Sequence, residues 1–318
     1  MTLLTVAVAT YNRAPLLPGL FDALARQRAS PGAAWEIVIV DNNSRDATRE
    51  TIDRLAPTLA VPVRYIHESR QGMSHARNRA IREARGELIG ILDDDVLPAD
   101  DWVDTLLRLY RELDADGLGG QILPRWESPP PAWLRDDWPL QEHCFALMTH
   151  PSRRQLTFPM EGAGQIWGSN MAFRKSLFDD VGVFDTHHGR GGGKLYKGNE
   201  ELRLINKALA AGKRLFYDPA LVVHHRIGAD RTSKAYLRKF VFDQGESDVL
   251  NEAFVHSDDA STTPRWLYRR AFERLLRWLP RAAVGAADAF QHEREFLYDL
   301  GLMSGYRKAR NVRGRLLS

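Results

Sequence analysis

The sequence has few of the features by which proteins are cross-linked or anchored. Its 318 residues include a single cysteine, Cys144, which excludes an intramolecular disulfide and indicates a reducing compartment. No apolar run approaches the roughly 20 residues needed to span a bilayer. The first residues, MTLLTVAVATYNR, lack the basic segment of a signal peptide and read as a buried strand. We therefore expect a cytoplasmic protein that folds on its own apolar core.

Two common nucleotide-binding motifs are also missing. No GxGxxG segment follows the first predicted strand, and GxxxxGK[ST] does not occur. These glycine-rich turns hold the phosphates of dinucleotide cofactors and of hydrolysed nucleoside triphosphates. The sequence therefore predicts neither a dinucleotide cofactor nor ATP hydrolysis.

Four short apolar runs rich in β-branched residues occupy the first hundred residues, and a helical pattern follows each of them. The runs are 3–9, 36–40, 63–66 and 88–92, and the helical patterns are 15–26, 47–55, 74–84 and 102–113. Ser44 or Asp46 is a candidate cap for the second helix, and Ser74 for the third. This alternation predicts an α/β fold, with a Rossmann-like, mostly parallel sheet flanked by helices.

Polar residues follow every one of the four runs. In an open parallel sheet they meet at the carboxyl edge of the strands, where ligands bind. Four polar groups in succession favour a binding site over ordinary loop polarity. The residues are Thr10, Tyr11, Asn12 and Arg13; Asp41, Asn42 and Asn43; Glu68, Arg70, Gln71 and Gly72; and Asp93, Asp94 and Asp95.

The three consecutive carboxylates at 93–95 carry the most chemical information. Like charges at contact distance repel one another, and burial adds a desolvation penalty. A divalent cation removes that conflict, and Mn²⁺ or Mg²⁺ prefers carboxylate, phosphate and water oxygens. Arg13, Arg70 and Arg77 can add positive charge for a nucleotide at the same edge. Asp41 is placed like an acid that accepts hydrogen bonds from a nucleoside ribose or base. A metal and nucleotide site is predicted, with a solvated acidic turn as the alternative.

Seven ordered segments extend this pattern well beyond the first hundred residues. They are ATYNR (9–13), VDNNSRDAT (40–48), ESRQGMSHARNRAI (68–81), GELIGILDDD (86–95), GSNMAFRKSLFDDVGVFD (168–185), GNEE (198–201) and DPALVVHHRIGADR (218–231). Together they resemble the nucleotide-sugar motifs of family-two glycosyltransferases of the GT-A fold, over about residues 5–245. The resemblance implies a metal-dependent, inverting hexosyltransferase that uses a nucleotide diphosphate sugar, with UDP as the expected nucleotide. Its acceptor would be a hydroxyl group in glycan, polysaccharide or glycoconjugate biosynthesis.

The resemblance also implies which residues bind the donor. Those that would contact the nucleotide or the sugar are Thr10, Tyr11, Arg13, Asp41, Arg70, Gln71, Asp93, Asp94, Gly168, Ser169 and Asn170. Asp93 and Asp95 match the two acids of the DxD motif, with Asp95 as the direct metal ligand. His225 matches a histidine that approaches the metal or the diphosphate, and a purely structural histidine is the alternative.

A base for the acceptor hydroxyl is expected ahead of a helix. In many relatives a Glu-Asp pair occupies this position, and here the pair is Glu200 and Glu201. Either carboxylate can take the proton if it lies within about 3 Å of the hydroxyl. Glu201 is the expected base, and an acidic first turn that stabilises the helix dipole would give the same pattern. Attack from the face opposite the leaving nucleotide inverts the anomeric centre.

The C-terminal segment differs from the rest in charge. From Arg265 onward there are 12 lysines and arginines against 5 aspartates and glutamates, a net charge of +7; the whole chain carries +3, so the preceding residues carry −4. Residues 264–281 set tryptophan, phenylalanine and leucine among arginines, which is typical of a basic amphipathic helix. Such a helix can lie on the catalytic domain, on a second subunit, or at the inner face of a membrane near a lipid-linked acceptor. We expect a GT-A catalytic domain at 1–245, with its nucleotide-binding half at 1–120 and its acceptor-binding half at 121–245, and a helical basic extension at 246–318.

Other functions fit the sequence less well. A nucleotidyltransferase would share the fold and the acids, but no glycine-rich first loop with arginine and lysine is present to hold a triphosphate. A non-catalytic sugar-nucleotide binding protein would need no base. Missing membrane spans and a missing QxxRW motif argue against a processive polysaccharide synthase. Nucleic acid is not an expected partner, because the arginines of the tail alternate with core-like leucines. The expected partners are a nucleotide sugar donor and a carbohydrate or lipid-linked acceptor.

Overall fold

A computed structural model describes residues 3–135, 138–158, 165–186, 200–255 and 262–316. The strands in these ranges are β1 (Leu4–Thr10), β2 (Trp35–Asp41), β3 (Val63–His67), β4 (Leu88–Asp93), β5 (Val96–Pro98), β6 (Gly117–Trp126), β7 (Arg154–Gln155), β8 (Asn170–Arg174) and β9 (Leu215–Ile227). The α-helices are α1 (Leu17–Ala25), α2 (Thr48–Leu55), α3 (Met73–Glu83), α4 (Trp102–Leu113), α5 (Ala132–Arg135), α6 (Trp138–Phe145), α7 (Leu177–Val181), α8 (Glu200–Ala210), α9 (Lys234–Val255), α10 (Arg265–Ala283) and α11 (Ala289–Leu316).

These strands form one sheet in the order β3-β2-β1-β4-β8-β6-β9-β5, and β7 pairs with β9. β1 lies parallel to both β2 and β4, and β2 lies parallel to β3. The register pairs Thr10 with Asp41 and Ala9 with Asp93, so the carboxyl ends of these strands are level. From β1 the chain winds to β2 on one side and later to β4 on the other. The crevice between the ends of β1 and β4 is therefore the place where an open α/β sheet binds a ligand.

The predicted parallel strands and their helices are confirmed, because their apolar residues have the expected periodicity. β1 and β2 are buried along their whole length, as central parallel strands must be when helices cover both faces. Along α1 the residues Leu17, Leu20, Phe21 and Leu24 are buried at helical spacing, and Pro18 lies in the first turn, where a proline costs no hydrogen bond. The α/β prediction with helix-flanked parallel strands is thus correct.

No predicted capping residue occupies the N-cap position, which in α2 is Ala47, although Asp46 just before it still bonds the first turn. Asp46 accepts hydrogen bonds from the backbone N–H and the hydroxyl of Thr48 at the start of α2. Ser74 does not cap α3, because the helix already begins at Met73 and Gly72 precedes it with φ 138°. A positive φ of this size favours glycine, so the glycine fixes the start of α3.

An antiparallel part completes the sheet, and the sequence pattern did not indicate it. β8 lies antiparallel to β4, and β6 lies antiparallel to β8. β5, which follows the acidic turn, lies antiparallel to β9, so that Val96 pairs with His225. This pairing places the histidine of β9 directly beside the three aspartates.

The described residues group into two compact units. The first contains the sheet and comprises 3–125 together with 145–227, within the described ranges. The second comprises 126–144 and the residues from 228 onward. The domain division drawn from the sequence stays a prediction; Gly245, its boundary, lies within α9, which runs unbroken from Lys234 to Val255.

The second unit is helical, as predicted for the C-terminal extension. α9 and α11 lie very close together where they cross. Gly245 faces the backbone of Tyr298 and Gly301 faces the backbone of Phe242, and two residues without side chains make this approach possible. A side chain at either glycine would collide with the opposite helix. Within the described part of the chain, no helix has the length and apolar character that crossing a bilayer requires.

Candidate active site

The polar groups that follow the four parallel strands lie together at the carboxyl edge of the sheet. The Thr10 hydroxyl, at the end of β1, donates to Asp94 Oδ2 at 2.7 Å, across the crevice between β1 and β4. The backbone N–H of Asn42 donates to the carbonyl of Thr10 at 2.8 Å. The predicted convergence is therefore confirmed, and the crevice contains an acid from the β4 end and a hydroxyl from the β1 end.

Asn42 holds the loop after β3 in place. Its side-chain amide donates to the carbonyls of Glu68 and Arg70, at 3.3 and 2.7 Å. Its side-chain oxygen accepts the N–H of Gly72 at 2.7 Å and the amide of Gln71 at 3.3 Å. The sequence named Asn42 only as one polar residue among several, whereas the structure shows it joining two strand ends.

Asp41 is buried and already accepts two hydrogen bonds. The Tyr65 hydroxyl donates to its Oδ2 at 2.8 Å, and the backbone N–H of Ser44 donates to its Oδ1 at 2.9 Å. Tyr65 lies under the guanidinium of Arg49, 3.9 Å from the ring centre to Cζ. Neither Tyr65 nor Arg49 was predicted. Their only sequence signals were an aromatic residue in a short strand and a basic residue in a helix.

The cations near the rim remain open to solvent. Arg70 forms a two-pronged ion pair with Glu68, at 2.9 and 3.0 Å, and its side chain is still 60% exposed. The hydrogen bond from Arg70 lowers the pKa of Glu68 to about 2. Tyr11 and Arg13, just past β1, are exposed. These residues can reach an incoming ligand without disturbing the core.

The three aspartates point to three different partners. Asp93 Oδ1 accepts a hydrogen bond from Arg77 at 2.9 Å, Asp94 accepts from Thr10, and Asp95 Oδ2 lies 3.5 Å from His225 Nε2. Burial and the neighbouring charge of Asp95 raise the pKa of Asp94 to about 7. The protein thus relieves part of the repulsion within the acidic turn through Arg77 and through proton uptake by Asp94.

Arg77 is the buried centre of the site. Its guanidinium donates to Asp93 at 2.9 Å, to Glu200 at 2.9 Å and to the carbonyl of Gly168 at 3.2 Å. The side chain is only 4% exposed, and it lies near the ring of Phe184. The predicted role, positive charge for a nucleotide, stays a prediction; in the structure this guanidinium faces protein oxygens on several sides. It joins the acidic turn to the glutamate pair.

The segment 168–170 fits around this arginine. A Cβ at Gly168 would lie 2.7 Å from Arg77 Nη2, so glycine is required for the guanidinium to approach the backbone. Asn170 has no exposed surface; it accepts from Trp102 Nε1 and donates to the carbonyls of Gln121 and Leu221. We assign Asn170 to the framework rather than to ligand binding, because its amide is fully engaged within the protein.

Several buried polar atoms around Arg77 have no hydrogen-bond partner among the described residues. They are Arg77 Nε, Trp167 Nε1, Ser169 Oγ and Glu200 Oε2. Buried polar groups in native proteins are almost always satisfied by protein, water or ligand. Donors and an acceptor of this kind are suited to the hydroxyl groups of a sugar. Residues 187–199, which include the first part of GNEE, lie outside the described ranges.

The two glutamates at the start of α8 have different surroundings. Glu200 is buried, and its Oε1 accepts the hydrogen bond from Arg77. Burial and the charge of Glu200 raise the pKa of Glu201 to about 7. A carboxyl group that gains and loses its proton near neutral pH is well matched to proton transfer. These surroundings favour Glu201 over Glu200 as a base.

Asp95 and His225 are the residues that fit a divalent cation. The His225 Nδ1 lies 2.6 Å from the carbonyl oxygen of Phe145, and because a carbonyl only accepts, Nδ1 carries the proton. In the neutral ring this leaves the lone pair on Nε2, which faces the carboxylate of Asp95. A cation can contact both groups at that distance. Within the described ranges, no set of three or more histidine, cysteine, aspartate or glutamate side chains is arranged to hold a metal by itself.

The family model described as glycosyl transferase family 2 matches residues 5–182, which is more than half of the chain. The chain belongs to this family. The match covers the strands β1 to β8, apart from the first residue of β1, and the acidic turn. The prediction of a glycosyltransferase is confirmed at this level.

Curated proteins that resemble this chain in sequence have names that refer to different substrates or products. A glucosyl-dolichyl phosphate glucuronosyltransferase of Haloferax volcanii is 26% identical over 225 residues, 70% of this chain and 69% of that protein. The succinoglycan biosynthesis protein ExoM of Rhizobium meliloti is 24% identical over 246 residues, 76% of this chain and 72% of that protein. A dolichol-phosphate mannosyltransferase of Mycosarcoma maydis is 40% identical over 155 residues, 48% of this chain and 50% of that protein.

Solved structures of glycosyltransferases share the fold. The mannosyltransferase PcManGT of Pyrobaculum calidifontis, in complex with GDP-Man and Mn²⁺, superposes with a TM-score of 0.56 at 22% identity, over 98% of this chain and 86% of that one. TarS of S. aureus, in complex with UDP, gives a TM-score of 0.52 at 17% identity, over 97% and 92%. The predicted GT-A fold with its helical C-terminal region is thereby confirmed.

Proposed function

We propose that this member of family 2 is a metal-dependent, inverting glycosyltransferase that moves a sugar from a nucleotide diphosphate sugar to an acceptor hydroxyl. The observation that carries the proposal is the bridge formed by Arg77. It joins Asp93, on the donor side of the crevice, to Glu200 and thus to the residue next to it, Glu201. A site that only bound a nucleotide sugar would have no use for a glutamate with a pKa near neutrality beside the sugar position.

The nucleotide would lie over the carboxyl ends of β1, β2 and β3. In this proposal Asp41 and Thr10 would face the base and ribose, and four residues at the rim would border them: Tyr11, Arg13, Arg70 and Gln71. Exposed arginines at this rim can pair with phosphate oxygens. We propose UDP as the nucleotide. The structural neighbours are complexes with UDP and with GDP-Man, so a guanosine carrier is the second candidate.

Asp95 and His225 would hold the cation, Mn²⁺ or Mg²⁺, with Asp93 next to them. When bound, the cation offsets the negative charge that develops on the leaving nucleoside diphosphate. Asp94 accepts a hydrogen bond from Thr10 and so holds the ends of β1 and β4 together. It would also accept a hydrogen bond from a ribose or sugar hydroxyl. Gly168 and Ser169 would border the sugar. The Ser169 hydroxyl has no hydrogen-bond partner among the described residues, so it is available to bond a sugar hydroxyl.

Glu201 would take the proton of the acceptor hydroxyl. At neutral pH a substantial fraction of this carboxyl group is ionised, since its pKa is about 7. Glu200, held by Arg77, lies next to Glu201, and its charge raises the pKa of the base. Attack of the deprotonated oxygen on the face opposite the nucleotide gives inversion. We propose a carbohydrate or lipid-linked acceptor, since several relatives carry dolichyl phosphate or polysaccharide names.

The test is donor binding with and without metal. In calorimetry we expect UDP to bind in Mn²⁺ at least about tenfold more tightly than in chelator, and Asp95→Ala to remove that difference. Asp22→Ala, an exposed aspartate on α1, is the matched control and should bind like the unchanged protein. Equal affinity of the unchanged protein in Mn²⁺ and in chelator, for both UDP and GDP, would contradict the metal role.

Product analysis separates the proposal from nucleotidyl transfer. A glycosyltransferase releases a nucleoside diphosphate, whereas a nucleotidyltransferase releases pyrophosphate. We expect only the diphosphate, in an amount equal to the sugar transferred. Release of pyrophosphate from a nucleoside triphosphate and a sugar phosphate would favour the alternative enzyme.

A further inference from the structure

α10 has two apolar faces, and the described residues cover only one of them. On the covered face Leu267 and Ala271 are buried. Trp278 stacks on Phe296 of α11, with ring centres 5.7 Å apart. This face attaches the helix to the rest of the helical unit and accounts for its folding.

The other face, here called the exposed stripe, consists of Tyr268, Phe272, Leu276 and Leu279. These residues are 56, 59, 55 and 49% exposed. Their spacing of four, four and three residues aligns them along one side of the helix, over about 16 Å. Single exposed apolar residues need no explanation, but a continuous line of large ones marks an interaction surface.

Arginines border the exposed stripe. Arg265 and Arg269 are exposed and lie one helical turn from Tyr268 and Phe272. Arg270 and Arg274 point to the opposite side, where both bond the buried Asp299. The arginines of α10 therefore divide into an inward pair that stabilises the unit and an outward set beside the stripe.

A cavity adjoins the exposed stripe. It has a volume of about 450 Å³, and Tyr268 belongs to both its wall and the stripe. Phe242, Leu300 and Met303 give it apolar walls, and Arg307 and Arg310 supply positive charge. Its lining thus has the same composition as the stripe, apolar groups beside guanidinium groups.

This composition suits an anionic lipid surface better than the other candidates. A second copy of the chain placed symmetrically on the stripe would bring its arginines close to those of the first. A nucleic acid would pair with the arginines but offers little apolar surface for four large side chains. A bilayer with anionic headgroups supplies hydrocarbon at the depth of the stripe and phosphate at the depth of the arginines.

We propose that the exposed stripe, its arginines and the adjoining cavity form a docking surface for an anionic phospholipid membrane. α10 lies in the plane of the interface, with the stripe in the boundary between headgroups and acyl chains. The cavity receives a phosphate-bearing headgroup at Arg307 and Arg310. This docking does not depend on the proposed catalytic chemistry, since it uses a separate unit of the chain.

The experiment is sedimentation of the full chain with lipid vesicles. We expect binding to vesicles of mixed phosphatidylcholine and phosphatidylglycerol, little binding to phosphatidylcholine alone, and weaker binding as salt is raised. Phe272→Ser with Leu276→Ser should weaken binding at least about tenfold, because the stripe loses apolar area. Equal binding to both vesicle types, unaffected by these substitutions, would overturn the proposal.

Matched controls separate the stripe from general stickiness. Phe158→Ser with Val183→Ser changes two apolar residues that are 60 and 41% exposed in the other unit, and should leave vesicle binding unchanged. Arg265→Glu with Arg269→Glu keeps the stripe and should abolish the preference for anionic vesicles. Thermal unfolding of each variant shows whether it is folded. If the serine variant does not fold, the charge variant still tests the surface.

Sedimentation velocity without lipid tests the competing occupant. We expect the unchanged protein and the stripe variant to have the same oligomeric state. A dimer that becomes a monomer on Phe272→Ser with Leu276→Ser would show that the stripe joins two copies, and the membrane proposal would then be wrong.

Discussion

The arrangement of Asp93 and Glu200 relative to each other depends on Arg77. Its guanidinium is buried and donates to Asp93, to Glu200 and to the carbonyl of Gly168. A planar guanidinium can satisfy three acceptors in different directions, whereas a lysine ammonium is a point charge on a flexible stem. The geometry of this residue matters as much as its charge.

Arg77→Lys is therefore expected to lower kcat by about 100-fold or more, since the glutamate pair is no longer held in place. The KM for the donor should change much less, because the rim residues still bind the nucleotide. Steady-state kinetics with varied donor measures both quantities. Arg79→Lys, in the same helix but in a half-buried ion pair with Glu83, is the matched control and should behave like the unchanged enzyme. A large rise in donor KM with unchanged kcat would instead indicate that Arg77 binds the nucleotide directly.

The raised pKa of Glu201 predicts that activity depends on pH. Its pKa is raised to about 7, and only the ionised form can accept a proton. We expect kcat to rise with pH below about 7 and to level off above it. Glu201→Gln should lose about 10²- to 10⁴-fold in kcat and lose this dependence on pH. Glu50→Gln, an exposed glutamate on α2, serves as the control, and a Glu201→Gln enzyme with the original pH profile would assign the base elsewhere.

The sequence drew attention to residues that the structure brings close together, but not to the contacts that connect them. Thr10, Asp41, Asp93 to Asp95 and Glu200 were recognisable because polar residues at strand ends and helix starts follow from local patterns. The role of Arg77 could not be seen, because its three partners lie far apart in the chain. Asn170 shows the opposite case: its position in a motif suggested ligand binding, but tertiary packing turns it towards Trp102 and two carbonyl groups of the framework.

At the scale of elements, local periodicity was a sufficient guide only for the parallel half of the sheet. Each βα unit there is contiguous in sequence, so its pattern is complete within about 30 residues. β8, β6, β9 and β5 pair across long separations without hairpin turns, and no local signal marks such pairings. The position of His225 beside Asp95 depends on one of these pairings.

The crossing of α9 and α11 leads to a test of packing. Gly301 faces the carbonyl of Phe242 so closely that a Cβ cannot be placed without moving backbone. Gly301→Ala is therefore expected to destabilise the helical unit by about 1–3 kcal/mol. Gly19→Ala, on helix α1, is the matched control, because the added Cβ would meet only side-chain atoms, at 3.4 and 3.7 Å. That change should be neutral or stabilise by up to about 1 kcal/mol. Denaturant unfolding followed by circular dichroism compares the two, and similar stabilities would show that α9 and α11 can move apart.

For the molecule as a whole, the raised pKa values of Asp94 and Glu201 predict that stability decreases as pH rises. Both groups have a pKa of about 7 in the folded state, against ordinary values of 3.8 and 4.5. The folded protein therefore binds more protons than the unfolded chain between about pH 4 and 7. The contribution of these two groups to the free energy of unfolding is fully present below pH 4 and is lost as pH rises through 7. Glu68 acts in the opposite sense, since its lowered pKa favours folding above about pH 4.5 and that effect is lost towards pH 2.

Scanning calorimetry at a series of pH values measures this effect. Between pH 5 and 8 we expect each of the two groups to lower the free energy of unfolding by roughly 2–3 kcal/mol, which lowers Tm by several degrees. Asp94→Asn should flatten the dependence on pH, whereas Asp22→Asn should leave it unchanged. A Tm that stays constant over this range in the unchanged protein would mean that both carboxyl groups are already ionised at pH 5.

The bridge through Arg77 also bears on how such an enzyme can change over time. Asp93, Arg77 and Glu200 share one set of hydrogen bonds, so the loss from altering two of them will be smaller than the sum of the single losses. A lineage that replaces one of the three has little left to gain from retaining the other two. These positions should consequently be inherited as a trio, and engineering for a new sugar is better directed at the exposed rim than at this interior group.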